Sequence, residues 1–393
     1  MRLRLGWVAI AMAMAACSSP NAPATSFASP AQSPSFVRAT ATNGQSPTAV
    51  ASPTARPASV GTWAATGSMT MARSLQTATL LGNGRVLITG GVQDATTEIY
   101  DPSTGVFSAS GRMDTVRYGA TATLLDDGRV LVAGGYNGSV LLASAEIYDP
   151  KTGMFSPTGS MTTRRQFHTA TLLRDGRVLI AGGWTDDRQA LSSAELYDPK
   201  TGSFKTTGLM TSPREDHVAV LLADGEVLLA GGGGPGTYLA SAERYDPASG
   251  AFTPTGSMAS ARMDFTATEL ANGQVLVVGG HDGTSQFASA ELYDPATGTF
   301  GQTGSMAAAR ADQSACLLHD GRVLVVGGAT GENSVNSAEL YDPATGLFTS
   351  AGAMAGTRSY ASATTLSDGR VLVAGGYGAT ADVASAELFD PSK

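Results

Sequence analysis

HTATLLRDGRVLIAGG, at residues 168–183, is the stretch that decides the fold, and AELYDP follows it at residues 194–199. Its two short runs of Thr, Val, Leu and Ile are separated by Asp175-Gly176, and the second run ends in Gly-Gly. Such runs around an Asp-Gly pair are typical of a tight β-hairpin. We expect a type I′ turn there, with a positive φ at both Asp175 and Gly176.

The same pattern occurs seven times along the chain. The Gly-Gly pairs begin at residues 90, 134, 182, 231, 279, 327 and 375, and Asn-Gly or Asp-Gly precedes each pair. Each copy continues with a third run such as Ala194–Tyr197, which Asp198-Pro199 closes, and the first six copies continue with a fourth run such as that around Phe204. Seven units of four short strands, at a period near 50 residues, predict an all-β fold, a seven-bladed β-propeller with four-stranded blades.

These repeats resemble the kelch family over residues 61–391. The features that carry the resemblance are the Gly-Gly pair, the Tyr-Asp-Pro about a dozen residues later, and the aromatic residue after Thr-Gly. The resemblance implies a β-propeller. The chain departs from the family in one respect, because the family's Trp in the fourth strand is replaced by Phe in six copies, at Phe107, Phe155, Phe204, Phe252, Phe300 and Phe348.

The two ends of the repeat region predict how the ring closes. The seventh unit ends at Asp390-Pro391 without a fourth strand, whereas residues 61–69 match a fourth strand and its exit. We therefore expect the N-terminal strand to complete the last blade, which leaves the propeller without an open edge.

The N-terminus has the features of a secretory signal. Residues 1–16 combine a basic start with an apolar run that is too short to span a bilayer, so we expect a cleaved signal peptide. Cys17 resembles the lipobox cysteine of bacterial lipoproteins, although Met14 departs from the usual Leu. The resemblance implies lipidation at Cys17 and an extracytoplasmic protein, lipid-anchored to a membrane of the bacterial cell envelope. The alternative is an ordinary signal peptide that contains a Cys.

The segment after Cys17 predicts a tether. Residues 17–60 are dominated by Ser, Pro, Ala and Thr and cannot bury enough apolar surface to offset their ordering entropy. We expect a disordered linker there and assign residues 61–393 to the propeller.

Composition excludes several classes of partner. The net charge of the chain is −8, and lysine is scarce, which argues against nucleic acid and against any membrane contact other than the lipid anchor. The two cysteines are Cys17 and Cys316, so a lipidated Cys17 leaves no intrachain disulfide. We expect a monomer without metal or other cofactor.

Positions that are alike in every repeat are explained by packing, which the blades share. A Met is followed four residues later by an Arg, and each third strand carries a Glu. We favour a repeated ion pair or a set of backbone hydrogen bonds for these arginines. The alternative is an anion-binding ring at the channel mouth, which the resemblance implies because kelch propellers use Arg from this connection for ligands.

Positions that vary between repeats can carry function. The loops from second to third strand and from fourth strand to the next blade lie on one face, and they hold aromatic and acidic residues. The candidate ligand-binding residues are Tyr118, Tyr136, His168, Trp184, Asp187, Asp216, His217, Asp264, His281, Asp282, Asp312, Tyr360 and Tyr377. Rings beside carboxylates suit a glycan, and a peptide or protein with basic side chains fits the same set. The alternative for each residue is a solvated loop position.

Three function classes stay open at this point. We favour a binding protein, and a scaffold without a small ligand is the second class. The third is a sugar-modifying enzyme like the kelch-type mutarotases, with His217 and Asp216, or His168, as proton carrier. A copper radical oxidase is disfavoured, because Cys316 aligns with Thr in other repeats and no His pair has ligand spacing. The sequence contains no catalytic motif, so we assign no catalytic residue.

Overall fold

The computed structural model describes residues 60–91, 95–187 and 189–393. These residues form seven four-stranded antiparallel sheets, and the inner strand of each sheet contacts the inner strands of its two neighbours around a closed ring. The predicted seven-bladed propeller is confirmed. The predicted signal peptide, the linker and Cys17 lie outside the described residues. No helix in the described ranges is long and apolar enough to cross a membrane.

The strands of each blade follow one another outward from the central channel. The inner strands of blades 1 to 7 are Gln76–Leu80, Thr121–Leu124, Thr169–Leu172, Val218–Leu221, Thr266–Glu269, Ser314–Leu317 and Ser362–Thr365. The second strands are Val86–Gly90, Val130–Ala133, Val178–Ala181, Val227–Ala230, Val275–Val278, Val323–Val326 and Val371–Ala374. The third strands are Thr96–Asp101, Ser144–Asp149, Ser193–Asp198, Ala242–Asp246, Ala290–Asp294, Ser337–Asp342 and Ala386–Asp390. The outer strands are Val106–Arg112, Met154–Ser160, Ser203–Leu209, Ala251–Pro254, Thr299–Gln302, Leu347–Ala353 and, in blade 7, Thr62–Ala65.

Two loops between second and third strands contain a small ribbon of their own. In blade 4, Gly233–Gly234 pairs with Thr237–Tyr238, and in blade 6, Ala329–Thr330 pairs with Asn333–Ser334.

The hairpin between first and second strands differs from the predicted type I′ turn. In blade 3, the Leu173 N–H donates to the Arg177 carbonyl at 2.8 Å, and the Gly176 N–H donates to the Leu173 carbonyl at 3.0 Å. Gly176 has a φ of 84°, whereas Asp175 does not have a positive φ. Three residues therefore separate the paired ends, as a type I turn followed by a left-handed glycine, and the two-residue prediction is wrong.

Seven hydrophobic clusters join neighbouring blades. In one of them, Met161 of blade 2 packs with Ile180 and Tyr197 of blade 3. Each cluster holds one of the seven repeated methionines, and these side chains are at most 4% exposed. The flexible thioether fills the gap between two blades, as the repetition of Met predicted.

The N-terminal strand closes the ring. Thr62 pairs with Asp390 and Ala65 pairs with Glu387, so Thr62–Ala65 is the outer strand of blade 7. The Trp63 indole N–H donates to the Ala351 carbonyl of blade 6 at 2.8 Å, which ties the strand to the adjacent blade as well. The predicted closure is confirmed.

Buried ion pairs between Arg and Glu occur in all seven blades. In blade 3, Arg165 Nη1 donates to the carbonyls of Gly182 at 2.8 Å and Ser193 at 3.1 Å, and Nη2 donates to Glu195 Oε1 at 3.0 Å. The seven pairs are Arg73–Glu98, Arg117–Glu146, Arg165–Glu195, Arg214–Glu243, Arg262–Glu291, Arg310–Glu339 and Arg358–Glu387. The favoured structural interpretation is confirmed, and these arginines do not form an anion-binding ring because their donors face the protein.

Candidate functional site

Each buried arginine is followed by three residues that occupy three different positions in the blade. In blades 2 to 7 the first forms a β-bridge with the residue after the Gly-Gly pair, as in Tyr118 with Tyr136; we call this place in every blade the bridge position. The second adopts a left-handed backbone in every blade, and we call it the axial position. The third lies between two blades, and we call it the wedge position.

Each position has one residue per blade, in order from blade 1 to blade 7. The bridge positions are Ser74, Tyr118, Gln166, Glu215, Met263, Ala311 and Ser359. The axial positions are Leu75, Gly119, Phe167, Asp216, Asp264, Asp312 and Tyr360. The wedge positions are Gln76, Ala120, His168, His217, Phe265, Gln313 and Ala361.

The axial residues form a ring around the mouth of the channel. Their backbones are linked from blade to blade: the Asp312 N–H donates to the Asp264 carbonyl at 3.0 Å, and the Tyr360 N–H donates to the Asp312 carbonyl at 3.0 Å. The φ of the six non-glycine members lies between 47° and 58°. This left-handed conformation is uncommon for residues other than Gly and Asn, and its repetition shows that the ring imposes it.

Three consecutive axial positions, in blades 4 to 6, are aspartates. Burial raises the pKa of Asp216 well above its ordinary value, and the nearby Asp264, Glu215 and Asp312 raise it further. Burial and Asp264 likewise raise the pKa of Asp312. Carboxylates on three different blades therefore act on one another, so their side chains converge at the mouth.

Two of these carboxylates have protein partners. Asp264 Oδ2 lies 3.0 Å from His281 Nε2, and His281 Nδ1 accepts the Gly283 N–H at 3.0 Å. Because Nδ1 is an acceptor, the ring proton is on Nε2 and is donated to Asp264. Asp312 accepts a hydrogen bond from Tyr360, and burial together with Asp312 raises the pKa of the Tyr360 hydroxyl.

Glu215 adds a fourth carboxylate, which sequence reasoning missed. Its side chain is 5% exposed, and within the described part of the chain it has neither a hydrogen-bond nor an ion-pair partner. Burial and the nearby Asp264 raise its pKa to about 7. The available signal was its bridge position, where no other repeat has an acid.

A glycine-rich run brings Tyr238 into the same cluster. Gly233 forms the bridge with Glu215 and also pairs with Tyr238. A Cβ at Gly233 would lie 1.9 Å from the Thr237 carbonyl oxygen, so only glycine lets the ribbon fold back this closely. The Tyr238 ring consequently reaches blade 5 and contacts His281 edge-on, with 5.6 Å between ring centroids.

Aromatic rings occupy the corresponding positions in blades 2 and 3. Tyr118 contacts Tyr136 edge-on at a centroid distance of 5.7 Å and Phe167 at 6.4 Å, and Phe167 contacts Trp184 at 6.5 Å. These edge-to-face contacts are favourable in themselves. Burial raises the pKa of the Tyr118 hydroxyl. We call these four residues the aromatic half of the mouth, and Glu215, Asp216, Asp264 and Asp312 the acidic half.

His168 and His217 lie at wedge positions and not in the mouth. They are 5% and 6% exposed, and each Nε2 is 3.0 Å from a Thr hydroxyl of the preceding blade, Thr121 and Thr169 respectively. Burial lowers the pKa of His168 well below its ordinary value and that of His217 to about 3. Both imidazoles are neutral and pack between blades, so the structure does not bring them to a ligand on this face.

The other predicted residues lie on the loops around the mouth. Asp282 Oδ1 accepts the N–H groups of Thr284 and Ser285, which stabilises its own turn. Asp187 is exposed at the tip of the blade 3 loop. Tyr377 forms a bridge with Ser359 and is half-buried.

The described residues do not fit a copper radical site. They contain no group of three His, Cys, Asp or Glu side chains placed to hold a metal ion together. Cys316 lies on the inner strand of blade 6, where burial raises the pKa of its thiol to about 11.

Comparisons with known proteins agree with this architecture. A family model described as the Kelch motif matches residues 117–162, 168–207, 265–306 and 312–355. Among solved structures, a fungal alcohol oxidase of the AA5 family, in complex with copper, is similar with a TM-score of 0.72 and 20% identity, over 84% of this chain and 76% of that one. That level of identity shows a shared fold alone. No curated protein sequence matches the chain significantly. The repeats, the ring and the family match together show that this chain contains kelch repeats, folded as a seven-bladed β-propeller.

Proposed function

We propose that this chain is a binding protein that holds a glycan or a peptide at the channel mouth. One observation carries the proposal: around one opening lie aromatic rings and carboxylates, two of which have no side-chain partner among the described residues, at positions where the blades differ from one another. A concave site with a few convergent polar groups beside aromatic surface is the usual form of a ligand pocket.

The opposite face supports the same assignment by contrast. Its Asp-Pro turns are nearly alike in every blade; in blade 3, for example, Asp198 Oδ1 accepts the Lys200 N–H at 2.9 Å. The Asp-Gly turns are capped in the same manner, with Asp175 Oδ1 accepting the Arg177 N–H at 3.0 Å. These acids accept hydrogen bonds within their own turns. The acidic half of the mouth, in contrast, has carboxylate oxygens that accept no hydrogen bond from the described residues.

A sugar-modifying enzyme of the mutarotase kind is the second candidate, and Glu215 favours it. Burial and Asp264 raise the pKa of Glu215 to about 7, which suits a group that must both accept and donate a proton near neutral pH. His217 and His168 do not suit this role, because burial between blades keeps both neutral.

The place of action that we propose is the bacterial cell envelope, with Cys17 as the lipid anchor. Support comes from the apolar segment before Cys17 and the Ser- and Pro-rich residues after it. Mass spectrometry of the membrane fraction should find a mature chain that begins at an acylated Cys17. A soluble mature chain that begins elsewhere would contradict the anchor.

Glycan and peptide arrays probed with the full chain test the binding proposal. Trp184→Ala and Asp264→Asn should each weaken the retained ligand several-fold, whereas Asp127→Asn on the opposite face should not. Binding that survives both mouth substitutions would place the site elsewhere. If the retained ligand is a reducing sugar, anomer exchange measured by NMR that stops in Glu215→Gln would favour the enzyme.

A further inference from the structure

We propose that the acidic half binds the cationic side chain of a peptide, a lysine or an arginine, between Glu215, Asp216 and Asp264. This inference rests on the proposed function, because it assigns the ligand class of the same mouth. It is carried by the charge, burial and partners of these carboxylates.

The acidic half lacks a protein cation. No arginine or lysine in the described ranges forms an ion pair with Glu215, Asp216 or Asp264, and within those ranges the one side-chain partner of the three is His281, which bonds Asp264. The chain's lysines lie on the opposite face or on an outer strand, at Lys151, Lys200, Lys205 and Lys393. The seven arginines next to the mouth are engaged with Glu and backbone carbonyls. A cation from outside is therefore the missing partner.

Glu215 shows that the site is built for a ligand and is more than a collection of surface acids. Glu215 is 5% exposed, its side chain has no hydrogen-bond or ion-pair partner in the described part of the chain, and Asp264 and Asp216 are near enough for their charges to interact with it. An unpaired buried carboxylate destabilises the fold, and a cationic partner removes that penalty. Asp312 Oδ1 is also buried and has no hydrogen-bond partner among the described residues.

The donor arrangement favours an organic cation over a metal ion. A calcium or magnesium ion needs several oxygens at one point, and no three acidic, His or Cys side chains of the described residues are placed to share an ion. The carboxylates are instead distributed over three neighbouring blades. An ammonium or guanidinium group, with several N–H donors, can bridge groups that are spaced in this manner.

Depth distinguishes a basic side chain from an amino sugar. Glu215 is almost fully buried, and the Tyr238 ring contacts His281 on the neighbouring loop of blade 5. The slender stem of Lys or Arg can place its charge at such depth while its methylene groups contact the rings. An amino group attached directly to a pyranose ring stays at the level of the ring.

Calorimetry of the full chain with a matched pair of probes tests this inference. The probes are acetyl-trilysine amide and the same peptide with acetylated side chains, so that only the side-chain charges differ. We expect trilysine to bind about tenfold tighter than its acetylated form, and Glu215→Gln to remove most of that difference. Glu332→Gln, an exposed acid on the blade 6 loop of the same face, is the matched control and should change the affinity less than about twofold.

The outcomes separate the two proposals. Equal binding of both peptides, no binding of trilysine, or equal losses in Glu215→Gln and Glu332→Gln would overturn the cation site. Tighter, Glu215-dependent binding of a glucosamine trimer would overturn the peptide assignment. None of these results removes the proposed function, which falls only if array ligands are insensitive to mouth substitutions. Misfolding is not an alternative explanation, since we expect Glu215→Gln to melt at a temperature no lower than the wild type at neutral pH.

Discussion

The two halves of the mouth are built on the same backbone positions and differ in what the side chains do to one another. In the aromatic half, Tyr118, Phe167 and Trp184 contact one another edge-on, so their interactions are favourable without a ligand. In the acidic half, Glu215 and Asp216 are close to other carboxylates, and their side chains have no hydrogen-bond or ion-pair partner among the residues that the structure describes. The comparison shows that the ring of backbone positions determines the direction of a side chain. The chemistry of the side chain determines whether its interactions are favourable without a ligand.

The two halves of the mouth therefore differ in their effect on the stability of the ligand-free protein. The aromatic half adds packing to the fold, while the acidic half reduces stability in the absence of a ligand. An arrangement that weakens the free protein yet lies on a rigid scaffold indicates a binding site, because binding can recover the lost free energy.

Ring closure supports both halves, so removing it should have the largest effect. Deletion of residues 1–68 removes Thr62–Ala65, opens blade 7 and takes away Trp63 with its bond to Ala351. We expect a loss of at least about 4 kcal/mol in the free energy of unfolding, or aggregation through the open edge. Urea unfolding measures the first and light scattering the second. Deletion of residues 18–55 is the control, and equal stability of the two chains would contradict the closure.

The acidic half should make the ligand-free protein less stable as pH rises. Burial raises the pKa of Glu215 from its ordinary value of about 4.5 to about 7, so its favourable contribution is complete below pH 4.5 and is lost as the pH passes 7. The charge of Asp264 raises the pKa of Glu215, and Glu215 in turn raises the pKa of Asp216, which strengthens the effect. Glu215→Gln should therefore unfold like the wild type at pH 4.5 but be more stable at pH 8, by about 3 kcal/mol at most.

Thermal unfolding at the two pH values measures that difference. Glu332→Gln should show no such pH-dependent gain, because its side chain is exposed. A Glu215→Gln variant whose gain is the same at both pH values would show that the carboxylate is not buried in its charged form.

The repeated part of the molecule was predictable from the sequence, because seven internal copies can be compared. The Gly-Gly spacing predicted the blades, and the matching of Arg165 with Glu195 predicted the ion pairs. The turn type was wrong because the Asp-Gly pair does not reveal how many residues the hairpin leaves unpaired.

The site was less predictable, for a reason that three consecutive residues illustrate. Glu215 pairs with the neighbouring loop, Asp216 turns towards the channel through a φ of 47°, and His217 enters the space between blades. All three vary between repeats, so variation alone marks them equally. A glycine in the sequence suggests a left-handed backbone, whereas an aspartate does not. The different directions of the three side chains therefore appear only in the structure.

The wedge histidines should respond to pH in the opposite direction to the acidic half. Burial lowers the pKa of His217 to about 3, so its contribution to stability is present above pH 6.5 and is lost as the pH falls towards 3. Gln313 fills the same position in blade 6 and donates to the Val278 carbonyl at 2.8 Å, which makes His217→Gln a substitution that the fold already contains.

We expect His217→Gln to change the free energy of unfolding by less than about 1 kcal/mol at pH 7.5 and to be about 2 kcal/mol more stable than the wild type at pH 5. Urea unfolding at the two pH values measures this. His319→Gln, on the Asp-Gly turn of blade 6, is the control for a histidine outside the wedge. Parallel losses on acidification in the wild type and in His217→Gln would mean that the imidazole is accessible to protons in the folded state.

The smallest effect is expected in the aromatic half, at Trp184. Its ring contacts Phe167 and is only half-buried, so it is available for stacking on a ligand. Trp184→Ala should weaken binding of an array-selected ligand by about 1 kcal/mol, a several-fold change, with little change in melting temperature. Asp198→Ala should lower the melting temperature and leave the affinity unchanged, because Asp198 caps a turn on the opposite face. Should alanine at Trp184, Asp187, His281 and Tyr377 leave the affinity unchanged in every case, the ligand does not contact this face, since these four side chains lie on the loops of three different blades around the mouth.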